Sequence, residues 1–287
     1  MAFKPFQTLL FGFAFSPSLK ANVFEVTRLA SFFNSKLIFV HVGEKTREKE
    51  AEFNQLLEQC PLKPAIIDTH WKSGEPVKVL TDSCREFGID LLLIGALKRE
   101  NVLKYYLGSI ARKLTRQAAC SVLLMLKPSV ERSPCRHIVV NGFDSPKTQE
   151  TVEAAFYVAD SLVSQKVTLV EEISESRVAI SVDDDKSLRK ATLRKEKIDR
   201  QEKKRVTDIV QKIPLANKKG LNWETQSIFG KRGYSIGHYA RVVRADLLVM
   251  NAQKKTGFFS RFYIKDLEYI LAELPTDVLI IQSRTNG

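Results

Sequence analysis

Short apolar runs alternate along this chain with longer amphipathic segments. Gln7 to Phe13 (QTLLFGF) is an almost unbroken apolar run, the pattern of a strand covered on both faces. Ser16-Pro17 then opens a helix through Phe33, with Val23, Val26, Leu29, Ala30 and Phe33 on one side. Lys36 to Val42 reads as a second strand, Glu44 to Cys60 as a charged amphipathic helix, and Ala65 to Trp71 as a third strand. A Gly74-Glu75-Pro76 turn starts a helix ending near Gly88. DLLLIGA (Asp90 to Ala96) gives a fourth strand, Ser109 opens another helix, and Ser121 to Met125 is a fifth strand. Strands alternating with helices predict a parallel sheet with helices on both faces, an α/β fold.

The pattern then repeats. LLFGFAFSP at 9–17 aligns with IVVNGFDSP at 138–146, an offset of 129, which also brings Ala30 onto Ala159. From Gly74 onward an offset of 156 holds: Gly74 with Gly230, Arg85 with Arg241, IDLLLI at 89 with ADLLVM at 245, and SVLLM at 121 with DVLII at 277. The chain is therefore a tandem duplication, with domains expected at 1–132 and 133–287 and a linker at 127–135. The offsets differ by 27, so the second copy carries a charged insertion near 172–212. Lys186 to Arg205 holds ten Lys or Arg and three acids, then grades into Val206, Ile209, Val210 and Ile213 at helical spacing. An elongated second helix with a solvated shaft is expected there. A basic arm for nucleic acid is the sharper reading, and the lack of any aromatic residue to stack on bases counts against it.

Between the fourth strand and the next helix lies GALKRENVLKYYLGS, Gly95 to Ser109. Gly108-Ser109 stands where a helix begins, so free N–H groups and the positive end of the helix dipole would point into the loop, an anion site in outline. A plain loop with a helix cap accounts for the same residues.

The duplicated strand-helix pattern, the S-P after the first strand, the G-x-P turn and the Gly-rich loop ending in Gly-Ser together resemble the universal stress protein family in its tandem form. The resemblance covers nearly the whole length. It implies two tandem doubly wound five-stranded parallel-sheet domains, adenine nucleotide alpha hydrolase-like, with strand order 3-2-1-4-5. It also implies a pseudo-two-fold that brings Ser121–Met125 and Asp277–Ile281 together. ATP-binding members carry G-x-x-G, nine residues, then G-S/T, with an Asp ending the first strand. In the first copy the spacing survives as Gly95, Lys98, Gly108 and Ser109, which are the candidate nucleotide- or phosphate-binding residues. Lys98 replaces a Gly and Ala14 replaces the Asp. In the second copy these positions read Asn251, Lys254, Ile264 and Lys265, with Phe143 at the first strand's end, and Asp144, one residue on, is expected to face the opposite way. The resemblance thus implies an ATP motif degenerate in the first domain and absent in the second. No cofactor is expected, with ATP kept as a candidate for the first domain only. Lys98, Arg99, Lys104 and Arg112 around Gly108-Ser109 leave open another phosphorylated small ligand.

Composition narrows the rest. A net charge of +12 raises anionic partners, but the excess is about +6 in each copy, so no dedicated nucleic-acid module stands out. Cys60, Cys84, Cys120 and Cys135 have neither disulfide nor zinc spacing, and Cys84 and Cys120 read as small core residues. The first residues imitate a signal peptide, yet the same pattern recurs internally at Arg136–Pro146, and no run is long enough to span a membrane. A cytoplasmic protein is expected. His41, within a strand beside Val40 and Val42, reads as a satisfied core or edge histidine, and His70 and His137 have no nucleophile or carboxylate at motif spacing, so no enzyme is expected. The resulting expectation is a non-catalytic stress-response module acting through a protein or ligand partner, a pseudo-dimer within one chain, with further homodimerisation left open.

Overall fold

A computed structural model describes residues 4–98, 105–177, 179–251 and 260–282. The strands and helices follow the apolar pattern closely. In chain order they are β1 (Thr8–Phe13), α1 (Leu19–Phe32), β2 (Lys36–Val42), α2 (Arg47–Glu58), β3 (Ile67–Lys72), α3 (Pro76–Glu86), β4 (Leu91–Gly95), β5 (Leu97–Lys98), β6 (Tyr105–Tyr106), α4 (Ser109–Gln117) and β7 (Ser121–Met125). The second copy continues with β8 (His137–Asn141), α5 (Thr148–Leu162), β9 (Lys166–Ile173), α6 (Asp185–Lys212), β10 (Asn222–Phe229), α7 (Tyr234–Val242), β11 (Leu247–Asn251), α8 (Ser260–Glu273) and β12 (Asp277–Ile281).

Two compact units result, one of residues 1–134 with 277–287 and the other of 135–276. In the first, the strands run β12-β7-β4-β1-β2-β3, all pairs parallel except β12 with β7. In the second, they run β10-β9-β8-β11, all parallel. Numbered within each copy, the first shows the order 3-2-1-4-5 and the second 3-2-1-4. The fifth strand of the second copy is counted with the first unit because its ladder is with β7. The inner strands are the apolar runs: Leu9, Leu10, Leu92, Val139 and Leu248 are buried, whereas the outer β3 is half-exposed along its length.

Local chemistry sets the helix ends. Pro76 opens α3 and Glu75 caps it, accepting from the Lys78 N–H at 2.7 Å. Asp184 and Ser187 form a reciprocal capping box on α6. The duplication extends to single atoms. Asp90 Oδ2 accepts from the Gln7 and Thr8 amides at 2.8 and 3.0 Å, and its equivalent Asp246 accepts from Arg136 and His137 at 2.7 and 2.9 Å. The linker is anchored: buried Arg28 on α1 donates to the Ser129, Val130 and Glu131 carbonyls. Among the described residues no helix is long and apolar enough to cross a membrane.

Candidate functional site at the carboxyl ends of the strands

In an open α/β sheet the crevice for ligands lies beyond the carboxyl ends of the strands, where the strand order reverses. Here that point falls between β1 and β4 in the first unit and between β8 and β11 in the second. Gly95 closes β4, and a Cβ there would meet Asn22 Oδ1 at 2.6 Å, so the position is filled from the first turn of α1. Asn22 is 8% exposed, its amide donates to the Ser18 carbonyl at 2.9 Å, and its buried Oδ1 has no partner among the described residues. Gly108 is the N-cap of α4 and Ser109 its first residue, with no side-chain cap bond. Gly108 has φ −59°, an angle open to any residue, so this glycine is not required by backbone strain.

The loop between them is partly a ladder. Leu97 pairs with Tyr106 and Lys98 with Tyr105 in a two-residue antiparallel hairpin, so Lys98 and Tyr105-Tyr106 lie on strands rather than in an irregular lid. Arg99 and Lys104 lie outside the described residues, as do Lys254 and Phe258-Phe259. Ala14, where ATP-binding members carry the acid, follows β1 directly and is exposed.

Rings converge beside the crevice in the first unit. Phe13 stacks on Phe53 with centroids 4.2 Å apart, and meets His41 at 5.1 Å and Trp71 at 6.1 Å. Phe15 meets His41 and Trp71 at 5.3 and 6.2 Å. His41 is buried, with Nδ1 at 3.0 Å from the Phe13 carbonyl, a satisfied core histidine. A groove of about 540 Å³ opens beside this cluster, walled by Phe15, Ser16, Lys20, Glu52, Gln55 and Gln59; neither Gly95 nor Ser109 reaches it. His70 stacks on Phe87, and His137 Nε2 lies 2.9 Å from Thr168 Oγ1.

The second unit fills the matching crevice with its own side chains. Asn251, at the position of Gly95, donates to Ser145 Oγ at 3.1 Å, bridging the ends of β11 and the β8–α5 loop. The Arg232 guanidinium sits 3.5 Å from the centroid of the Phe143 ring. Arg205 reaches in from α6, donating to the Gly142 carbonyl and to Glu171 Oε2, both at 2.6 Å, and to Glu202 Oε2 at 3.0 Å. A Cβ at Gly142 would lie 2.5 Å from Glu171 Oε1, so only glycine admits the carboxylate this close to the strand. Burial pushes the Glu171 carboxyl up to about 8, with Arg205 pulling it back. Burial also acts on Glu202, but hydrogen bonds from Arg177 and Arg205 outweigh it and hold that carboxyl below its usual value. Next along β9, Glu172 accepts from the Gly233 and Ile236 amides at 3.0 and 2.8 Å, occupying the N-terminus of α7.

Asp144 needs a correction. The sequence placed it on the strand, facing away from Phe143. The strand ends earlier, at Asn141, whose Oδ1 takes the Phe143 N–H at 2.9 Å, so alternation does not carry through. Asp144 instead points toward Arg205, 3.8 Å away.

Comparison with known proteins follows from this geometry. The family model described as "Universal stress protein family" matches twice, over residues 5–125 and 135–282. No curated protein matches the chain. A protein of unknown function from Pseudomonas aeruginosa PAO1 is similar in structure, at 14% identity and TM-score 0.65, covering 97% of this chain and 93% of that one. A universal stress protein from Archaeoglobus fulgidus DSM 4304 has 14% identity and TM-score 0.65, covering 96% and 98%. The cytoplasmic domain of a prokaryotic cation chloride cotransporter shares the fold at 11% identity and TM-score 0.55, covering 98% and 97%. Two matches spanning nearly the whole sequence, on two copies of one strand order, place this chain in the universal stress protein family, in its tandem form.

Proposed function

We propose that this tandem universal stress protein is a non-catalytic stress-response module that acts through a protein or ligand partner, its second domain serving as scaffold rather than receptor. The observation that carries the reading is the self-filled crevice of the second unit. Asn251 on Ser145, Arg232 on Phe143 and Arg205 on the Gly142 carbonyl use the groups that a ligand would otherwise contact. Expelling them costs the desolvation of a paired guanidinium before any ligand contact forms. Isothermal titration of the full chain with ATP is expected to give no heat below millimolar concentration; a micromolar dissociation constant overturns the reading.

A second reading, weak binding of ATP or another phosphorylated ligand in the first domain, is favoured by one observation. Asn22 Oδ1 is buried and unpartnered against Gly95, and a buried acceptor in that state costs about 1–3 kcal/mol until a donor reaches it. A ligand amino or hydroxyl group would supply that donor while its phosphates lay toward Ser109. Under this reading Asn22→Leu abolishes whatever weak heat the titration shows, while circular dichroism stays unchanged.

A further inference from the structure

The buried positions of the 28-residue helix α6 all lie from Ile198 onward, and just before them Lys195 lies over the Phe229 ring, 4.4 Å from its centroid. Ile198, Glu202, Val206 and Val210 are its buried residues, so nearly half of the helix, from Asp185 to Lys197, has no buried position. The capping box of Asp184 and Ser187 fixes its first turn. Lys186, Arg189, Lys190, Arg194 and Lys197 share one outward face at helical spacing, and among the described residues none has a carboxylate at ion-pair distance. Ion pairs along the helix begin at Glu196–Arg200 and continue with Asp199–Lys203 and Lys204–Asp208. At 1.5 Å per residue, the five unpaired cations extend over about 16 Å.

We infer that this face of α6 binds the phosphate backbone of duplex nucleic acid without reading its sequence. The occupant follows from charge and shape. A B-form duplex carries one negative charge per ~1.7 Å of axis, and its major groove, about 12 Å wide, admits a helix. Between Lys186 and Lys197 the exposed large apolar side chains are Leu188 and Leu193, 52% and 54% exposed; five residues apart, they fall on different sides of the helix and form no apolar centre for a protein interface. An amphipathic membrane helix needs a continuous free apolar face; Ile198, Val206 and Val210 are buried on the protein, and the exposed Leu188 and Leu193 do not share a face. The absence of aromatic residues, which counted against nucleic acid in the sequence, bears on single strands, where bases must stack. Backbone contacts to a duplex require none. This activity is independent of the crevices, since none of the five cations contributes to them.

Fluorescence anisotropy of the full chain against a labelled 20-base-pair duplex of random sequence, from 50 to 200 mM KCl, tests it. Four or five phosphate contacts predict a slope of log K on log salt of about −4. Replacing the five cations with Gln, a good helix former, is expected to weaken binding at 50 mM at least tenfold and to flatten the slope, with unchanged circular dichroism. Binding of equal strength by that variant, or no binding at 50 mM, overturns the proposal. So does tighter sedimentation with vesicles of anionic phospholipid than with the duplex at equal ionic strength.

Discussion

Leu123 and Leu279 face each other at the centre of the antiparallel β7–β12 ladder, and the offset of 156 makes them the same residue of the two copies. Val122 pairs with Ile280 and Leu124 with Val278, so the ladder maps onto itself when the copies are exchanged. Both leucines are buried, at 6% and 2% exposure. Leu123→Ala and Leu279→Ala should each destabilise by about 2–5 kcal/mol. Because the two sites are in contact, the double variant should depart from the sum by about 0.5–3 kcal/mol in a chemical-denaturation cycle.

A second equivalence exposes a local weakness. Asn34 follows α1 with φ 51° and its counterpart Val163 follows α5 with φ 58°, so both copies end the first helix in a left-handed turn. Asn tolerates that conformation; a β-branched valine, here 78% exposed and so free of packing value, does not. Val163→Asn should raise the unfolding free energy by about 1 kcal/mol. Asn34→Val should lower it by a similar amount.

Glu171 makes stability depend on pH. Its carboxyl titrates near 8 in the fold against an ordinary value of 4.5. The folded form holds the proton more tightly, so this contribution is complete below about 4.5 and is lost as pH rises through about 8. The slope approaches 1.4 kcal/mol per pH unit inside that window. Thermal melts between pH 5 and 9 should show the decline, and Glu171→Gln should flatten it.

Installing in the first domain the residues expected of ATP-binding members tests the proposed reading directly. Ala14→Asp together with Lys98→Gly should tighten ATP binding by about ten- to a hundredfold in calorimetry, at ~0.5–1.5 kcal/mol per regained contact. The corresponding change Asn251→Gly in the second domain should gain nothing, because Arg232 and Arg205 still occupy that crevice.

Much of the fold was legible because its signals are periodic or repeated. Apolar runs marked the inner strands, and the two offsets marked the duplication and an elongated second helix in the second copy, though α6 at 28 residues exceeds α2 at 12 by less than the inserted length. The hairpin of Leu97–Lys98 with Tyr105–Tyr106 was not legible: two residues per strand are too few to show alternation. The filled crevice of the second domain was also hidden. Its lack of the glycines could be read, but not that Arg205, 63 positions from Gly142, would arrive from the extended helix at the end of β8. Nothing in the sequence marked Glu171. Only three-dimensional contact with Arg205 and glycine at 142 explains its burial.

The pairing of β7 with β12 sets a clock on biosynthesis. The Leu126 amide waits for the Asp277 carboxylate, 151 positions downstream, so the first unit emerges from the ribosome with a whole strand still untranslated. At ~5–20 residues per second that interval is roughly 8–30 s, longer than a small domain needs to fold. Until β12 is made, the edge of β7 that it covers has no ladder partner, an open strand edge of the kind that invites association.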